Sequence, residues 1–523
     1  MMIYQIYKIL RVIFFALFIC ISFYSIKLYE GSITVYIAYC LSLILMLFYL
    51  TDRKASYFEI FFSVYLFLGF WFKYVFSLLL YNGIIFDSHI ETIPMKNIDE
   101  VLILGIWISL ICVLSSFIFR KFKKKYPFDN KTNLEKSFFI DLYLKNRITV
   151  LITFLAFVIL LAFFNLNLGI HQRGFLYYHE LPWIIINLVK WFLLFGFTTF
   201  SCFIFHVEIT NLKKINIFTI LIILFEIFSS YTSMLSRSFI INSSSLMLPI
   251  YQQSTKLLKK YDTKLIILFI FLLFLSVVSI FSANHIRIEK LESVKTEYKE
   301  LTEKKLDKLS DNDLALEKKL KNYNFQIPKK EKKIDLTDKE NLSNPASIKP
   351  TPRELIQFMI INRWTGIDSL ILVSSSESKG YDVFLRALKE EKNYLDYTFY
   401  EKEFGLIVRK TTVDTGKTIM KGNTLPGIIS FLYYTGSPIF LLLSIMVIFF
   451  LFNSLENFLR YLTDNNLVFI CFISNMIATR LFHFGYAPKD SYMFLISILL
   501  SIFFLVLLMR FKFRFSSQKN KIN

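Results

Sequence analysis

The chain has 523 residues, 55% of them hydrophobic, and a mean hydropathy of +0.50. A soluble domain of this size has no interior large enough for so much apolar surface, so lipid must solvate part of it. The formal net charge of +20 is not a nucleic-acid signal, because residues 284–426 hold 27 Lys and Arg against 23 Asp and Glu. The remaining excess lies mostly beside the ends of apolar runs, where basic residues hold loops in the cytoplasm and meet anionic headgroups.

Met1 to Glu30 places Lys8 and Arg11 before an apolar stretch with no small-residue cleavage site, which reads as an uncleaved first helix. Twelve apolar runs are long enough to cross ~30 Å of hydrocarbon at ~1.5 Å per residue. They lie near 12–29, 33–50, 57–81, 100–119, 148–165, 183–206, 215–234, 238–253, 264–283, 436–453, 466–481 and 491–509. The eighth is short and polar at its start, with a re-entrant segment as its alternative. Charge sets the orientation. Arg120 to Arg147 carries nine Lys and Arg against three acids, Ser254 to Lys264 adds four lysines, and the tail adds Arg510, Lys512, Arg514, Lys519 and Lys521. All three fall on one side only with twelve spans and both termini in the cytoplasm. The expected fold is therefore all-α: a membrane domain over 1–283, an extracytoplasmic loop domain over 284–435, and a membrane domain over 436–523 with a basic tail.

Within the large loop, Glu289 to Lys321 alternates Glu and Lys with leucines at 291, 301, 306, 309, 314 and 320, the pattern of a solvated helical stalk or hairpin. Ile327 to Thr351, rich in Lys, Asn and Pro, reads as a linker. Pro352 then starts an amphipathic helix running through Val373 and lying on the membrane body, followed by shorter helices near 381–392 and 394–404. The five cysteines (20, 40, 112, 202 and 471) all lie in apolar runs, which argues against a disulfide framework or a Cys-based zinc site.

Ionisable residues inside spans are costly, which makes each a candidate for function. By this topology Lys73 and Lys190 lie in the outer halves of the third and sixth spans. Arg237 lies at the turn before the eighth span, Arg480 at the end of the eleventh near His483, and Arg173 in the loop after the fifth. Arg363 lies on the amphipathic external helix. Six cations thus share the outer half of the membrane, with Glu226 the obvious intramembrane counter-ion. Uncompensated positive charge in a low dielectric invites an anion, and Arg forks match phosphate oxygens. Snorkelling to headgroups is the competing explanation for any one of them. The segment Ser236 to Ser245 is polar for a span, and its hydroxyls suit a sugar, a phosphate or helix–helix hydrogen bonds equally. There is no Walker loop or dinucleotide-binding Gly pattern, and the six histidines (89, 171, 179, 206, 285 and 483) lack metal-ligand spacing, which removes ATP-driven pumping and metalloprotease chemistry.

The plan resembles that of bacterial oligosaccharide repeat-unit polymerases, the O-antigen polymerase (Wzy-type) family. Four stretches are similar to that group: Gly169-Ile-His-Gln-Arg-Gly174, Ser233-Met-Leu-Ser-Arg-Ser238, Asn362-Arg-Trp-Thr-Gly-Ile367 and Thr424-Leu-Pro-Gly-Ile-Ile429. The resemblance implies a glycosyltransferase of the bacterial inner membrane that polymerises undecaprenyl-diphosphate-linked repeat units for lipopolysaccharide or another surface glycan. It implies no cofactor or metal, and partners limited to the lipid-linked oligosaccharide, the bilayer, a flippase and a chain-length regulator, without nucleic acid. Arg173, Arg237 and Arg363 match the motif arginines and would stabilise charge on the departing diphosphate. Glu226 or Asp368 would act as base, and Lys73, Lys190, Arg480 and His483 would help bind substrate. The charged insert 289–350 departs from some relatives. The related ligases carry a His in the large loop, where this chain offers His285 only at its very start. A lipid-linked oligosaccharide flippase is the main rival. A membrane glycosyltransferase with an acidic pair in the first external loop is the weaker one, since that loop holds Glu30 alone.

Overall fold

The structure is a computed structural model that describes residues 2–81, 95–125, 137–177, 181–213, 216–236, 238–257, 262–306, 361, 364–391, 397–404, 413–414, 418–420 and 425–511. These residues are mostly helical. In chain order the helices are α1 (Met2–Ser25), α2 (Ile33–Leu50), α3 (Tyr57–Phe67), α4 (Lys73–Tyr81), α5 (Met95–Lys125), α6 (Phe138–Lys145), α7 (Arg147–Leu168), α8 (Trp183–Trp191), α9 (Phe197–Val207), α10 (Ile217–Ser233), α11 (Phe239–Leu257) and α12 (Asp262–Leu306). After the large loop come α13 (Ile367–Ser375), α14 (Tyr381–Leu388), α15 (Phe399–Glu403), α16 (Gly427–Leu432), α17 (Pro438–Leu462), α18 (Leu467–Phe482) and α19 (Tyr492–Arg510). The π turn Leu68–Phe72 joins α3 to α4, and a second, Phe192–Gly196, joins α8 to α9.

Among the described residues, nine helical segments are long and apolar enough to cross a membrane, and Ile217–Ser233, Phe239–Ile250 and Leu467–Phe482 are apolar but shorter. Of the short helices, α18 is the central one, whereas α10 exposes Ile217, Phe218, Leu221 and Phe225. Nearly every residue of α18 is buried, and it packs on α3 and α11. A helix surrounded by other helices need not present a bilayer-long apolar surface of its own. The outer helices do present one: Ile439, Leu443, Val447 and Leu451 of α17 form an exposed stripe at helical spacing, as do Leu495, Leu499, Phe503 and Leu507 of α19. Their exposed faces suit lipid.

Local chemistry explains where helices start and stop. Ser56 and Glu59 form a capping box at α3, Asn216 caps α10 and Asn466 caps α18. Gly169, at φ +67°, closes α7 in the left-handed conformation. The longest helix, α12, runs 45 residues without a glycine or proline, so the ninth apolar segment and the start of the charged stalk are one rod.

Hydrogen bonds and ion pairs sort the helix ends into two groups. At the basic end Arg11 meets Asp52 (3.8 Å), Arg120 meets Glu59 (2.9 Å), Arg147 meets Glu208, Arg460 meets Glu456 (2.8 Å) and Arg510 meets Asp464 (3.7 Å). At the other end Tyr29 donates to Asp99, and Asn165 reaches the Ser233 carbonyl (2.9 Å).

The amphipathic helix expected from Pro352 through Val373 is not continuous. Residues 352–360 lie outside the described residues, Trp364 to Gly366 are not helical, and α13 begins at Ile367. Nor does α13 lie on the surface: Ile367, Leu370, Ile371 and Val373 are buried in the main core. The break has a steric reason. Gly69 in the π turn and Gly366 cross backbone to backbone, so closely that a Cβ on either would overlap the other strand of chain. The shorter helices appear as α14 and α15. The linker 327–351 and most of the stalk beyond Leu306 lie outside the described residues. Among the described residues a small sheet accompanies the helices: β1 (Phe175–Tyr177) pairs with β3 (Thr418–Met420), which pairs with β2 (Val413–Asp414), all antiparallel. It ties the loop after α7 to the large loop.

Candidate functional site

The loop between α7 and β1 is held from several sides. Asn165 Nδ2 donates to the carbonyls of His171 (3.1 Å) and Ser233 (2.9 Å), and Asn165 Oδ1 accepts from the His171 amide (2.7 Å). Gln172 Nε2 donates to the Asn165 (3.0 Å) and Leu166 (3.1 Å) carbonyls. From α12, Lys290 Nζ reaches the Leu166 carbonyl and Gln172 Oε1, each at 2.9 Å, with Tyr177 beneath it. The Arg173 amide donates to the Met234 carbonyl (3.0 Å), which locks this loop to the turn before α11.

The product of this wiring is a fixed Arg173. Its side chain is exposed, and partial desolvation beside the loop draws the guanidinium pKa below its usual value. Arg173 Nη1 lies 3.4 Å from Ser238 Oγ, and Ser236 Oγ lies 3.2 Å from Ser238 Oγ. Below Ser238 the polar lining continues through Asn242, whose Oδ1 accepts from Asn475 Nδ2 (3.0 Å). Tyr65 then donates to Asn475 Oδ1 (2.7 Å) and lies 2.9 Å from Thr479 Oγ1. Trp364 of the large loop covers Tyr65, with ring centroids 6.4 Å apart.

The sequence reading misses Arg287. This α12 residue places its Nη2 2.6 Å from where a Gly174 Cβ would lie, next to the Arg173 loop. Among the described residues, neither Arg173 nor Arg287 has a carboxylate in ion-pair contact. The contrast with the five carboxylate-bound arginines at the basic end identifies the site. Arg480 is half-buried on α18, with Nη2 3.4 Å from Ser491 Oγ and Nε without a partner among the described residues. His483 Nδ1 lies 2.9 Å from the Thr479 carbonyl.

The other expected site residues separate. Lys73 and Asp368 face each other: Nζ to Oδ2 is 2.7 Å, with the side chains 1% and 7% exposed. They form a buried pair that fastens α13 to α4, and Asp368 Oδ1 has no partner among the described residues. Glu226 is fully buried and accepts from Ser201 (3.2 Å) and Ser230 (3.4 Å). Neither carboxylate offers an accessible oxygen to an acceptor sugar in this arrangement. Lys190 is half-buried on α8, just before the second π turn. Arg237 and Arg363 lie outside the described residues. Their neighbours do not: Ser236 and Ser238 bracket Arg237 beside Arg173, and Trp364 follows Arg363 beside Tyr65.

The arrangement can bind an anion. Arg173 lies beside the Ser236 and Ser238 hydroxyls and Arg287 beside Gly174, and neither has a carboxylate in ion-pair contact among the described residues. No protein-family model, curated protein or solved structure matches this chain.

Proposed function

We propose that this protein is a membrane glycosyltransferase that polymerises oligosaccharide repeat units carried on undecaprenyl diphosphate, at the outer face of the cytoplasmic membrane. The reading takes twelve spans and both termini in the cytoplasm. The observation that carries it is that Arg173 and Arg287, both at the loop after α7, have no carboxylate partners among the described residues, with Arg173 beside the hydroxyls of Ser236 and Ser238. An acceptor hydroxyl attacks the anomeric carbon of the donor. The carbon–oxygen bond to the diphosphate breaks and its electron pair leaves with the diphosphate, where the arginines stabilise the growing charge. The hydroxyl proton goes to a base other than Glu226 or Asp368 as they are placed here.

A flippase for the same lipid would also need a cationic chamber. The polymerase reading is favoured by α13, which packs inside the helical body and is fastened there by a buried ion pair. A loop helix fixed in the core suits a rigid site better than alternating access. Deleting the gene in its native host and separating the surface glycan on a gel tests the reading. The expected pattern is single repeat units on the finished glycolipid, with no ladder above them. Complete loss of exported units would favour the flippase, and an unchanged ladder would contradict both.

A further inference from the structure

We infer that Glu226 is a proton-binding site within the helical body: its carboxyl carries a proton in the folded protein and exchanges it along a file of serines on α10 that leads to the loop after α7. The inference is independent of the transferase reading and uses a side chain to which that reading gives no task.

The surroundings of Glu226 carry the first half. It lies in the middle of α10, fully buried among Ile222, Ile223 and Ile227. Among the described residues its carboxyl meets hydroxyls alone, Ser201 Oγ at 3.2 Å and Ser230 Oγ at 3.4 Å. The buried carboxylates Glu59, Glu208, Glu456 and Asp368 differ, since each meets an arginine or a lysine. The helices packed against α10 carry their charges elsewhere. Arg147, the one ionisable group of α7, is held by Glu208. Tyr251 and Lys256 lie at the far end of α11, and α12 has no charged residue between Lys264 and His285. The remaining titratable neighbours are Cys202 and His206 on α9 and Tyr231 on α10 itself. An ionised carboxylate without a cation in so apolar a place costs far more than a neutral acid, and two long hydroxyl contacts do not offset that cost. A protonated carboxyl suits the site, because it donates to one serine oxygen and accepts from the other.

The register of α9 and α10 carries the second half. Ser201 faces Glu226, and Glu208, in the π turn Glu208–Leu212 after α9, faces Thr219 at 2.8 Å. Seven residues separate the two contacts on each side (201 to 208, 219 to 226), which makes them two rungs between antiparallel helices. The Glu208 rung is saturated by Tyr143, Arg147 and the Asn216 amide, and the buried Ile222 and Ile223 stand between it and Glu226. Apolar packing closes that side. On the other side Ser230 and Ser233 follow Glu226 by four and seven residues and share its face. Ser233 Oγ lies 3.2 Å from Asn165 Nδ2, and Asn165 Oδ1 accepts from the His171 amide (2.7 Å). Hydroxyls and amides thus continue from Glu226 to the loop that holds Arg173.

The test is infrared spectroscopy of the full-length protein in lipid nanodiscs at neutral pH, taken as the difference between wild type and Glu226→Gln. The expected difference contains the carbonyl-stretch band of a protonated carboxylic acid, which shifts to lower frequency in deuterium oxide. Carboxylate bands in its place overturn the proton site. Ser201→Ala and Ser230→Ala leave the carboxyl in place, and each should move the band to higher frequency by removing a hydrogen bond, so the assignment does not rest on Glu226→Gln alone. A band that neither variant moves belongs to another carboxyl and overturns the assignment. After a switch from water to deuterium oxide the band should shift more slowly in Ser230→Ala than in the wild type. Ser244→Ala, which alters a hydroxyl that donates to its own helix (2.7 Å), should keep the wild-type rate. Equal rates in the wild type and Ser230→Ala overturn the serine route.

Discussion

Replacing Asp368 with leucine is expected to destabilise the folded protein by about 3–5 kcal/mol, because it leaves the Lys73 ammonium buried without its counter-charge. Lys73 is 1% exposed and Asp368 7%, with 2.7 Å between Nζ and Oδ2, so water does not take over the lost contact. The pair also sits one turn above the Gly69–Gly366 crossing, where the loop touches the membrane body backbone to backbone. The double variant Lys73→Leu with Asp368→Leu removes both charges together. It should regain most of the loss, since a buried pair is costly to break and cheap to replace with apolar groups. Unfolding in detergent, followed by circular dichroism for the single and double variants, measures this. A single variant within about 1 kcal/mol of the wild type would contradict a buried, structurally required pair.

Arg173→Ala should lower polymer synthesis by about 100- to 1,000-fold, the usual cost of losing one donor aimed at developing negative charge. Stability should change little. The side chain makes one long hydrogen bond, 3.4 Å to Ser238, and its loop is held through Asn165, Gln172 and Lys290 instead. Arg173→Lys keeps the charge but loses the fork and should recover part of the activity. The readout is glycan length in a deletion strain complemented with each variant at matched membrane levels. Full-length polymer from Arg173→Ala would remove Arg173 from the site.

Much of the helical plan is legible in the sequence because hydrophobic length and Gly, Pro and capping signals are local. The run at 33–50 coincides with α2, and that at 57–81 with α3, its π turn and α4. The short eighth run, polar at its start, is helical over Phe239–Leu257 and packs against α18, where Asn242 meets Asn475, while Ser243, Ser244 and Ser245 donate to carbonyls of their own helix. Three features need the third dimension. Lys73 and Asp368 lie almost 300 positions apart, so nothing in either segment announces the other. Their pairing turns an expected substrate contact and an expected base into a fastening. The buried carboxylates Glu59, Glu208 and Glu456 lie near span ends and read there as surface charge, although the Ser56-x-x-Glu59 spacing is a usable capping signal. Ending the ninth span at 283 hides Arg287. Continuing that helix, with no Gly or Pro to stop it, puts Arg287 and Lys290 on one face three residues apart, turned towards the Arg173 loop.

The most direct measurement is reconstitution of the purified chain in liposomes with the host's own diphosphate-linked repeat units and no other protein. The account predicts products lengthened by whole repeat units, release of the free carrier diphosphate in equal number, and loss of both with Arg173→Ala. Repeat units that cross the bilayer without lengthening, or lengthening that survives the loss of Arg173, would contradict it.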